Sequence, residues 1–296
     1  MNTNGLKIVI LEKIDRKQLK TDASAAMKAA KPSAALVTLV VICILALLEI
    51  LGLGVQGFFP VFRSMLQTAQ SDMTAAVEVL QDFMSQTDDS ARAMIGSIIA
   101  LVLEFLGIVI GTGYSLYILR VLRGKQAGVG DVFDAFGIFL RAIVLNILRS
   151  IFVGLWSMIY MVPAMYLASA YPGRIGIQLA ALLLLLPAVR AVYAYSQAEF
   201  IMIDNRRMSA MRCILMSKVV MMGRKRERFV LDLSLLGRMV LCLVPVLNLW
   251  QFPYIMLTRA GYYRKAVNDF RERQQQVGAG TQDTTEQDDT ASEEDK

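Results

Sequence analysis

The chain has 296 residues, of which 55% are hydrophobic, and a formal net charge of +6. Soluble domains are about 45–50% apolar, so this composition and the long apolar runs described below exclude an ordinary soluble domain and indicate an integral membrane protein. The chain lacks histidine, the commonest general base and metal ligand. Cys43, Cys213 and Cys242 are isolated in the sequence, so we expect no disulfide framework, metal site or cofactor.

The charge is distributed unevenly along the chain. Residues 278–296 contain seven acidic groups and one lysine, so the remainder carries 30 basic against 18 acidic groups. The basic residues of this remainder flank the apolar runs. We therefore expect them to contact anionic lipid headgroups, and we expect no binding to nucleic acid.

Residues 1–33 are predicted to be a cytoplasmic amphipathic segment, because they include seven Lys or Arg residues. Between Asp15 and Ala30, apolar residues recur at the spacing of a helix, which predicts a helix that lies on the inner leaflet. The apolar run that follows, over residues 34–57, is too long for a cleaved signal peptide and predicts the first membrane span.

The next segment, residues 60–92, has apolar residues at a period of 3.6 and five acidic residues, which predicts an amphipathic helix on the outer face. Span two is predicted over residues 93–119. Within it, Gly107 and Gly111 form a GxxxG pair, which is typical of helices that approach a neighbour closely. Basic residues over 120–125 mark its cytoplasmic end.

A short cytoplasmic helix is predicted after these basic residues, with Asp131 at its N-cap and an apolar stripe that includes Phe133 and Phe136. Span three is predicted over residues 141–168. A turn of about four residues, which contains proline and glycine, separates it from span four over residues 175–203.

The last apolar stretch is interpreted as a hairpin of two short spans, residues 229–243 and 249–263. A reversal is predicted at LVPVLN, residues 243–248, because a proline with a nearby asparagine is typical of turns. The alternative is a single span, Phe229–Trp250, which places the C-terminus outside. Basic residues from Arg259 onward favour the hairpin.

The connector between spans four and five is strongly basic. Eight of its residues are lysine or arginine: Arg206, Arg207, Arg212, Lys218, Arg224, Lys225, Arg226 and Arg228. Basic loops remain in the cytoplasm, so this basic cluster is predicted to face lipid at the inner leaflet of the cytoplasmic membrane, with both termini inside. Residues 34–273 then form the membrane domain, and the polar residues 274–296 predict a disordered acidic tail.

Four ionisable residues fall within the predicted spans: Glu49, Glu104, Arg149 and Arg190. Such residues are expected to be buried in the bundle, where they form ion pairs or mark transport pathways. One interpretation is two acid–base pairs that hold helices together, and the other is a proton- or solute-coupled site that uses Glu104 with Arg190. The balance of signs favours the pairs.

Five methionines belong to the connector: Met208, Met211, Met216, Met221 and Met222. They are interpreted as the apolar face of an interfacial helix, the alternative being an adaptable groove for a partner protein. Together with Asp15–Ala30 and Asp131–Leu140, the segment Met208–Met222 makes three cytoplasmic amphipathic helices, each of which precedes a pair of spans. We therefore hypothesise a threefold repeat whose unit is an interfacial helix followed by a helical hairpin.

Several segments are similar to those of one bacterial family. They are YAYSQAEFIMID from Tyr193, SAMRCILMSKVVMMGRKRERF from Ser209, LDLSLLG from Leu231 and FPYIMLTRAGYYRKAV from Phe252. On these segments the chain resembles the integral membrane family known as domain of unknown function 975. The resemblance implies a multi-pass protein of the cytoplasmic membrane and carries no catalytic residue. Arg238 departs from the family pattern, in which an aromatic residue follows LSxxG.

The sequence predicts an all-α helix bundle of six spans with cytoplasmic interfacial helices. It contains no GxSxG, HExxH, P-loop or dinucleotide-binding motif, so we expect no enzyme. The leading hypothesis is a non-catalytic scaffold that binds anionic lipid and a membrane partner or a second copy of itself. The alternative is a small-solute or ion permease built around the buried charges. A carboxylate-based membrane enzyme is the third hypothesis, although Glu199 and Asp204, at the inner boundary of span four, are interpreted as interface residues.

Overall fold

A computed structural model describes residues 14–55, 58–69, 74–75, 77–78, 81, 91–171, 173–184 and 186–294. All regular elements in these ranges are helices, as predicted. They are α1 (Arg16–Ala29), α2 (Ala34–Val55), α3 (Phe58–Ala69), α4 (Ala91–Leu122), α5 (Val129–Phe133), a 3₁₀ helix (Asp134–Ile138), α6 (Phe139–Ala170), α7 (Ile175–Leu184), α8 (Leu186–Ala194), α9 (Ala198–Asp204), α10 (Ala210–Val220), α11 (Lys225–Ser234), α12 (Leu236–Leu241) and α13 (Pro245–Glu294). Much of the predicted outer helix beyond α3 lies outside the described residues.

Three helical stretches are long and apolar enough to cross a membrane: Ala34–Val55, Met94–Leu122 and Val129–Ala170. They coincide with predicted spans one to three, and most of their surface is not covered by the rest of the chain, as expected for helices that face lipid. The third stretch begins before predicted span three because α5 and the 3₁₀ helix continue directly into α6. Membrane crossing by the last three predicted spans remains a prediction.

Predicted span four consists of three consecutive helices, α7, α8 and α9. The chain makes a turn at residues 195–197, between α8 and α9, although neither glycine nor proline occurs there. The hydroxyl of Ser217 on α10 accepts a hydrogen bond from the Gln197 N–H (3.2 Å) and donates one to the Ala194 carbonyl (2.9 Å). Because Ser217 is fully buried, its hydroxyl replaces backbone partners that the turn removes.

The chain reverses between α12 and α13. Helix α13 begins at Pro245, within the predicted LVPVLN turn, which confirms the reversal. The Arg238 guanidinium on α12 lies 3.9 Å from the ring centroid of Tyr254 on α13, and Arg259 reaches Asp232 on α11 (3.3 Å). The two arms of this hairpin are therefore joined by contacts of charged side chains, one of which is made by the arginine that departs from the family pattern.

Helix α13 continues to Glu294, whereas the sequence predicts a disordered tail over residues 274–296. The polar composition of this segment gives it no core of its own. A helix that has already formed, however, extends by one hydrogen bond for each residue that it orders, without repeating the costly nucleation step. Extension from the packed part of α13 is the physical reason for the difference.

The three amphipathic helices that the sequence predicts in the cytoplasm pack against other helices of the chain. Helix α1 packs on α13, α5 packs on α4, and α10 packs on α6 and α9. In the hypothesised repeat, α5 and α10 therefore each pack on the last helix of the unit before them. Helix α1, which begins the first unit, packs on the last helix of the third unit. On α1, Leu19 and Ala23 are buried, and Leu19 lies against Gly261 of α13. This contact with protein corrects the predicted placement of the apolar face of α1 on the inner leaflet.

Helix α5 is fixed to α4 by charge. Asp131 and Asp134 both pair with Arg120 near the end of α4. The N-cap of α5 is Gly128, and Asp131 lies three residues later, where its carboxylate accepts a hydrogen bond from the Gly128 N–H (2.5 Å). Asp131 therefore stabilises the start of α5, although it is not the N-cap that the sequence predicts.

The contact between α5 and α4 also depends on Gly113. A Cβ atom at this position would overlap the backbone carbonyl of Val132 on α5, and packed backbone cannot move aside as a flexible side chain can. The predicted GxxxG pair makes no such contact. A Cβ at Gly111 would meet nothing within 4 Å, and one at Gly107 would lie 3.8 Å from Leu45. The close approach of α4 to α5 is at Gly113 instead, and its close approach to α2 is at Gly96, where a Cβ would lie 2.9 Å from the carbonyl oxygen of Val55.

Gly113→Ala is expected to lower the free energy of unfolding by about 1–3 kcal/mol, because the added methyl forces α5 away from α4. Gly111→Ala, on the same helix and facing open space, is the matched control and is expected to change it by less than about 0.5 kcal/mol. Unfolding of the purified protein by sodium dodecyl sulfate in mixed micelles measures both. Equal losses for the two variants would contradict the assignment of the close contact to Gly113.

Ser217→Ala is expected to destabilise the protein by about 1–3 kcal/mol, since the buried Ala194 carbonyl and the Gln197 N–H each lose a partner. Hydrogen–deuterium exchange is expected to rise at residues 194–198 and to change little elsewhere. Ser209→Ala, at the exposed start of the same helix, is the control because its side chain makes no capping hydrogen bond. Native exchange at residues 194–198 in Ser217→Ala would show that the hydroxyl does not hold the turn.

Candidate functional site

The basic cluster of the connector divides into two groups. In the first group, Arg224 and Arg228 are only 1% and 4% exposed. Arg224 pairs with Glu227 (2.9 Å) and with Asp269 on α13 (2.5 Å), and Arg228 faces Asp232 (3.6 Å). These two arginines form ion pairs inside the protein, which corrects their predicted contact with lipid.

Asp232 lies between two arginines and connects α11 with α13. Its carboxylate is 3.6 Å from Arg228 and 3.3 Å from Arg259. Burial lowers the pKa of the Arg228 guanidinium, and the negative charge of Asp232 opposes that shift. The ring centroid of Tyr262 lies 5.4 Å from the same guanidinium. Because arginine is effectively always protonated in proteins, both guanidinium groups stay charged, and the ion pair of Asp232 with Arg259 holds α11 against α13.

The second group of basic residues lies at the surface, on α10 or beside it in the sequence. Arg206, Arg207, Arg212, Lys218 and Arg226 are exposed, and Lys225 is half-buried. Helix α10 has two apolar faces, of which one, with Cys213 and Ile214, is buried. The other face is exposed and consists of Met211, Leu215, Val219 and Met222. We call this exposed stripe, together with the five exposed basic residues, the α10 surface.

The α10 surface has the geometry of an interfacial helix. Its apolar residues follow one face of a helix, and an apolar stripe flanked by lysine and arginine is typical of helices that lie in the plane of the membrane interface. The methionines do not form a common groove: Met211 and Met222 are exposed, Met208 and Met216 are half-buried, and Met221 is buried. This arrangement favours the interfacial interpretation over a methionine-lined docking groove.

Asp204 fixes the start of the connector beside the C-terminal end of α4 and against α13. Its carboxylate pairs with Arg123 (2.5 Å) and accepts a hydrogen bond from the Tyr263 hydroxyl (2.8 Å). The Tyr263 ring also stacks on Phe200 of α9, with the centroids 5.3 Å apart. These contacts give Asp204 a structural role at the base of the α10 surface.

The four ionisable residues of the predicted spans occupy separate places. Glu49 on α2 and Glu104 on α4 line the same groove of about 430 Å³, and both are exposed in the single chain. Arg190 on α8 is also exposed and does not line this groove. Arg149 on α6 is half-buried and acts electrostatically on Glu199. Among the described residues, no salt bridge includes any of the four.

Another groove, of about 270 Å³, lies further along α4 toward Arg120, and we call it the inner groove. Its polar lining includes Thr112 and Ser115 on α4, Asn146 on α6 and Glu199 on α9. The Ser115 hydroxyl is hydrogen-bonded to the Glu199 carboxylate. Leu45 lines both this groove and the larger one, so the two adjoin each other along α2 and α4.

Sequence reasoning assigns Glu199 to the inner boundary and does not single out the other polar residues of the inner groove. One signal was present, because Asn146 is the only amide side chain in predicted span three. Polar groups at membrane depth are rare and mark functional sites. The turn between α8 and α9 carries no such signal, and it is this turn that places Glu199 beside α4.

The inner groove has the chemistry of a binding site. It offers a carboxylate, an amide and two hydroxyls, which are groups that hydrogen-bond a small polar solute or an ion. Phe252 and Met256 supply an apolar wall. In the part of the chain that the structure describes, no group of three His, Cys, Asp or Glu residues is arranged to hold a metal ion.

No curated protein and no solved structure matches the chain. The sequence profile of one family, described as protein of unknown function (DUF975), matches residues 13–269. The match includes Ser217, the turn in span four, the α10 surface and both grooves. It confirms the resemblance that the motifs indicate, and this chain therefore belongs to the DUF975 family.

Proposed function

We propose that this protein is a non-catalytic scaffold of the cytoplasmic membrane that binds anionic lipid headgroups through the α10 surface. The observation that carries the proposal is the exposed apolar stripe of α10 together with exposed lysine and arginine side chains on this helix, before it and at the start of α11. A helix of this kind buries its stripe at the acyl boundary and extends its basic side chains to the headgroups. Both termini then lie in the cytoplasm.

The buried face of α10 supports this role. Cys213, Ile214 and Ser217 are buried, and Ser217 is hydrogen-bonded to the turn in span four. Helix α10 is therefore held by the protein while its opposite face meets lipid. A headgroup bound there contacts an element that packs directly on α6 and α9.

Only the exposed basic residues contribute to this interaction. Arg224 and Arg228 are neutralised by Glu227, Asp269 and Asp232. Each basic side chain close to an anionic membrane surface contributes about 1 kcal/mol, and the attraction decays over a Debye length of about 8 Å at physiological salt. Lipid binding is therefore expected to be selective for anionic headgroups and to weaken as salt rises.

Removing four charges from the α10 surface tests the proposal. The variant with Arg206→Gln, Arg207→Gln, Arg212→Gln and Lys218→Gln is expected to bind anionic lipid at least about tenfold more weakly, given roughly 1 kcal/mol per charge. The measurement is energy transfer from the protein's tryptophans to a labelled phosphatidylglycerol in micelles, at low and at high salt.

The matched control removes the same number of charges from α1 and the residues after it: Arg16→Gln, Lys17→Gln, Lys28→Gln and Lys31→Gln. These residues are exposed, but the apolar face of α1 packs on α13. The control is expected to keep most of the native affinity. An equal loss in both variants, or binding that does not respond to salt, would contradict a specific role for the α10 surface.

A small-solute or ion permease is the second candidate function, and the inner groove favours it. Glu199 follows the turn in a discontinuous span, and such turns form substrate and ion sites at membrane depth in transporters. The outer groove, with Glu49 and Glu104, adjoins the inner one at Leu45. The two grooves thus form a series of polar positions along α2 and α4.

Under the permease proposal, proteoliposomes that contain the protein are expected to conduct protons or K⁺, and Glu199→Gln is expected to abolish that flux by removing the charge that attracts the cation. A pH-sensitive dye and a K⁺-sensitive dye enclosed in the vesicles measure the two fluxes. Glu272→Gln, at an exposed position on α13, is the control and is expected to keep the native flux. Fluxes equal to those of empty vesicles would exclude these ions as substrates.

A further inference from the structure

The single chain leaves three charged side chains exposed at membrane depth. Glu49 and Glu104 line the groove between α2 and α4, and Arg190 lies on α8. None of the three takes part in a salt bridge within the described part of the chain. Charged groups in the hydrocarbon region are costly unless protein or water meets them, so another surface must cover these residues.

The two glutamates lie at similar heights on neighbouring helices. Thr38 on α2 is hydrogen-bonded to Tyr114 on α4 (2.8 Å). Glu49 is 11 residues after Thr38 and Glu104 is 10 residues before Tyr114, so at about 1.5 Å per residue both lie roughly 15–17 Å from this hydrogen bond. Arg190 is separated from α9 by the turn at residues 195–197.

The opposite charges do not meet within one chain. Arg190 does not line the α2–α4 groove, and α8 packs on α6 and α11. The pair of Glu104 with Arg190 that the sequence suggests is therefore not formed inside a single copy. Two surfaces of opposite charge, an acidic groove and an exposed arginine, remain on different helices of each copy.

We propose that a second copy of this chain supplies the missing partner. Helix α8 of one copy docks into the α2–α4 groove of another, so that the guanidinium of Arg190 faces Glu49 and Glu104. Docking brings opposite charges together and gives each of the three exposed groups a partner of opposite charge. This contact goes beyond lipid binding and does not depend on the α10 surface.

The α2–α4 groove suits a helix. Its small lining residues are Gly52, Ser97, Ala100 and Gly107. Small residues let the backbone of a neighbouring helix approach closely, and a Cβ at Gly52 would meet nothing within 4 Å. Beside Arg190, α8 exposes Val189 and Val192, apolar side chains that fill the groove around the charges. Gly107 of the GxxxG pair thereby faces a helix of the second copy.

The contact joins two different surfaces of the chain. An assembly built on it is closed when every copy both donates its Arg190 and receives that of a neighbour, as in a ring or a two-fold dimer. A closed assembly leaves none of the three charges exposed to lipid. Every copy therefore gains the same stabilisation from association, because its three charged side chains no longer face lipid.

Two differently tagged copies of the full chain, co-expressed and purified through one tag in mild detergent, test the contact. Native copies are expected to co-purify. Arg190→Glu is expected to reduce recovery of the second tag by about tenfold or more, because it places like charges opposite each other. Arg174→Glu, at an exposed arginine before α7, is the matched control and is expected to keep the native recovery.

Complementation separates a specific contact from misfolding. A copy with Arg190→Glu is co-expressed with a copy that carries Glu49→Arg and Glu104→Arg. Neither variant is expected to associate with itself, since each sets like charges against its own groove. In the mixture both contacts join opposite charges, so recovery is expected to return to the native level.

The proposal is overturned if native copies do not co-purify, if folded Arg190→Glu protein associates as the native chain does, or if the mixture is not rescued. Size-exclusion chromatography and circular dichroism of each variant establish that it is folded. Where Arg190→Glu does not accumulate in membranes, Arg190→Gln takes its place with a smaller expected loss. Native recovery with that variant equally overturns the proposal.

Discussion

The packing of each predicted cytoplasmic helix against the preceding unit is the contact on which the other features depend. It occurs at three small residues, which are Gly113 against Val132, Ala194 against Ser217, and Gly261 against Leu19. A larger side chain at Gly113 would overlap the backbone of α5 and separate the two helices. Because α1 packs on α13, the cycle closes, and the N-terminal helix is joined to the C-terminal one. The α10 surface and the turn before Glu199 are both positioned by one of these contacts.

The same three positions show which parts of the fold the sequence could predict. Each small residue is followed by a buried tyrosine, namely Tyr114, Tyr195 and Tyr262. The sequence pattern of the hypothesised repeat is therefore clearer in the helices that carry these residues than in the amphipathic helices that pack on them. Apolar length predicts α2, α4 and α6, because a span needs about 20 apolar residues whatever surrounds it. The turn at residues 195–197 has no local signal, since its missing backbone partners are replaced by Ser217, 20 residues later.

The charges were harder to predict than the helices, because counting basic residues says nothing of their partners. The rule that basic loops stay inside treats all eight connector residues alike, whereas Arg224 is neutralised by Asp269, 45 residues further along the chain. No local sequence pattern identifies which carboxylate forms an ion pair with which arginine. The balanced signs of the membrane-depth charges likewise predict pairing but not whether the partner belongs to the same copy. Only the exposure of Arg190 in the folded chain raises that question.

Association of copies changes what the α10 surface can achieve. In the proposed assembly, the contact between α8 and the α2–α4 groove joins neighbouring copies, so several α10 surfaces act together. On the proposed function, one surface with five exposed basic residues holds lipid weakly and loses it at high salt. Several linked surfaces bind with an avidity that exceeds the single affinity by about 10²–10⁴ where the geometry permits. Within each copy, Ser217 ties α10 to the turn between α8 and α9. The proposed scaffold would therefore organise lipid through the number and spacing of its α10 surfaces.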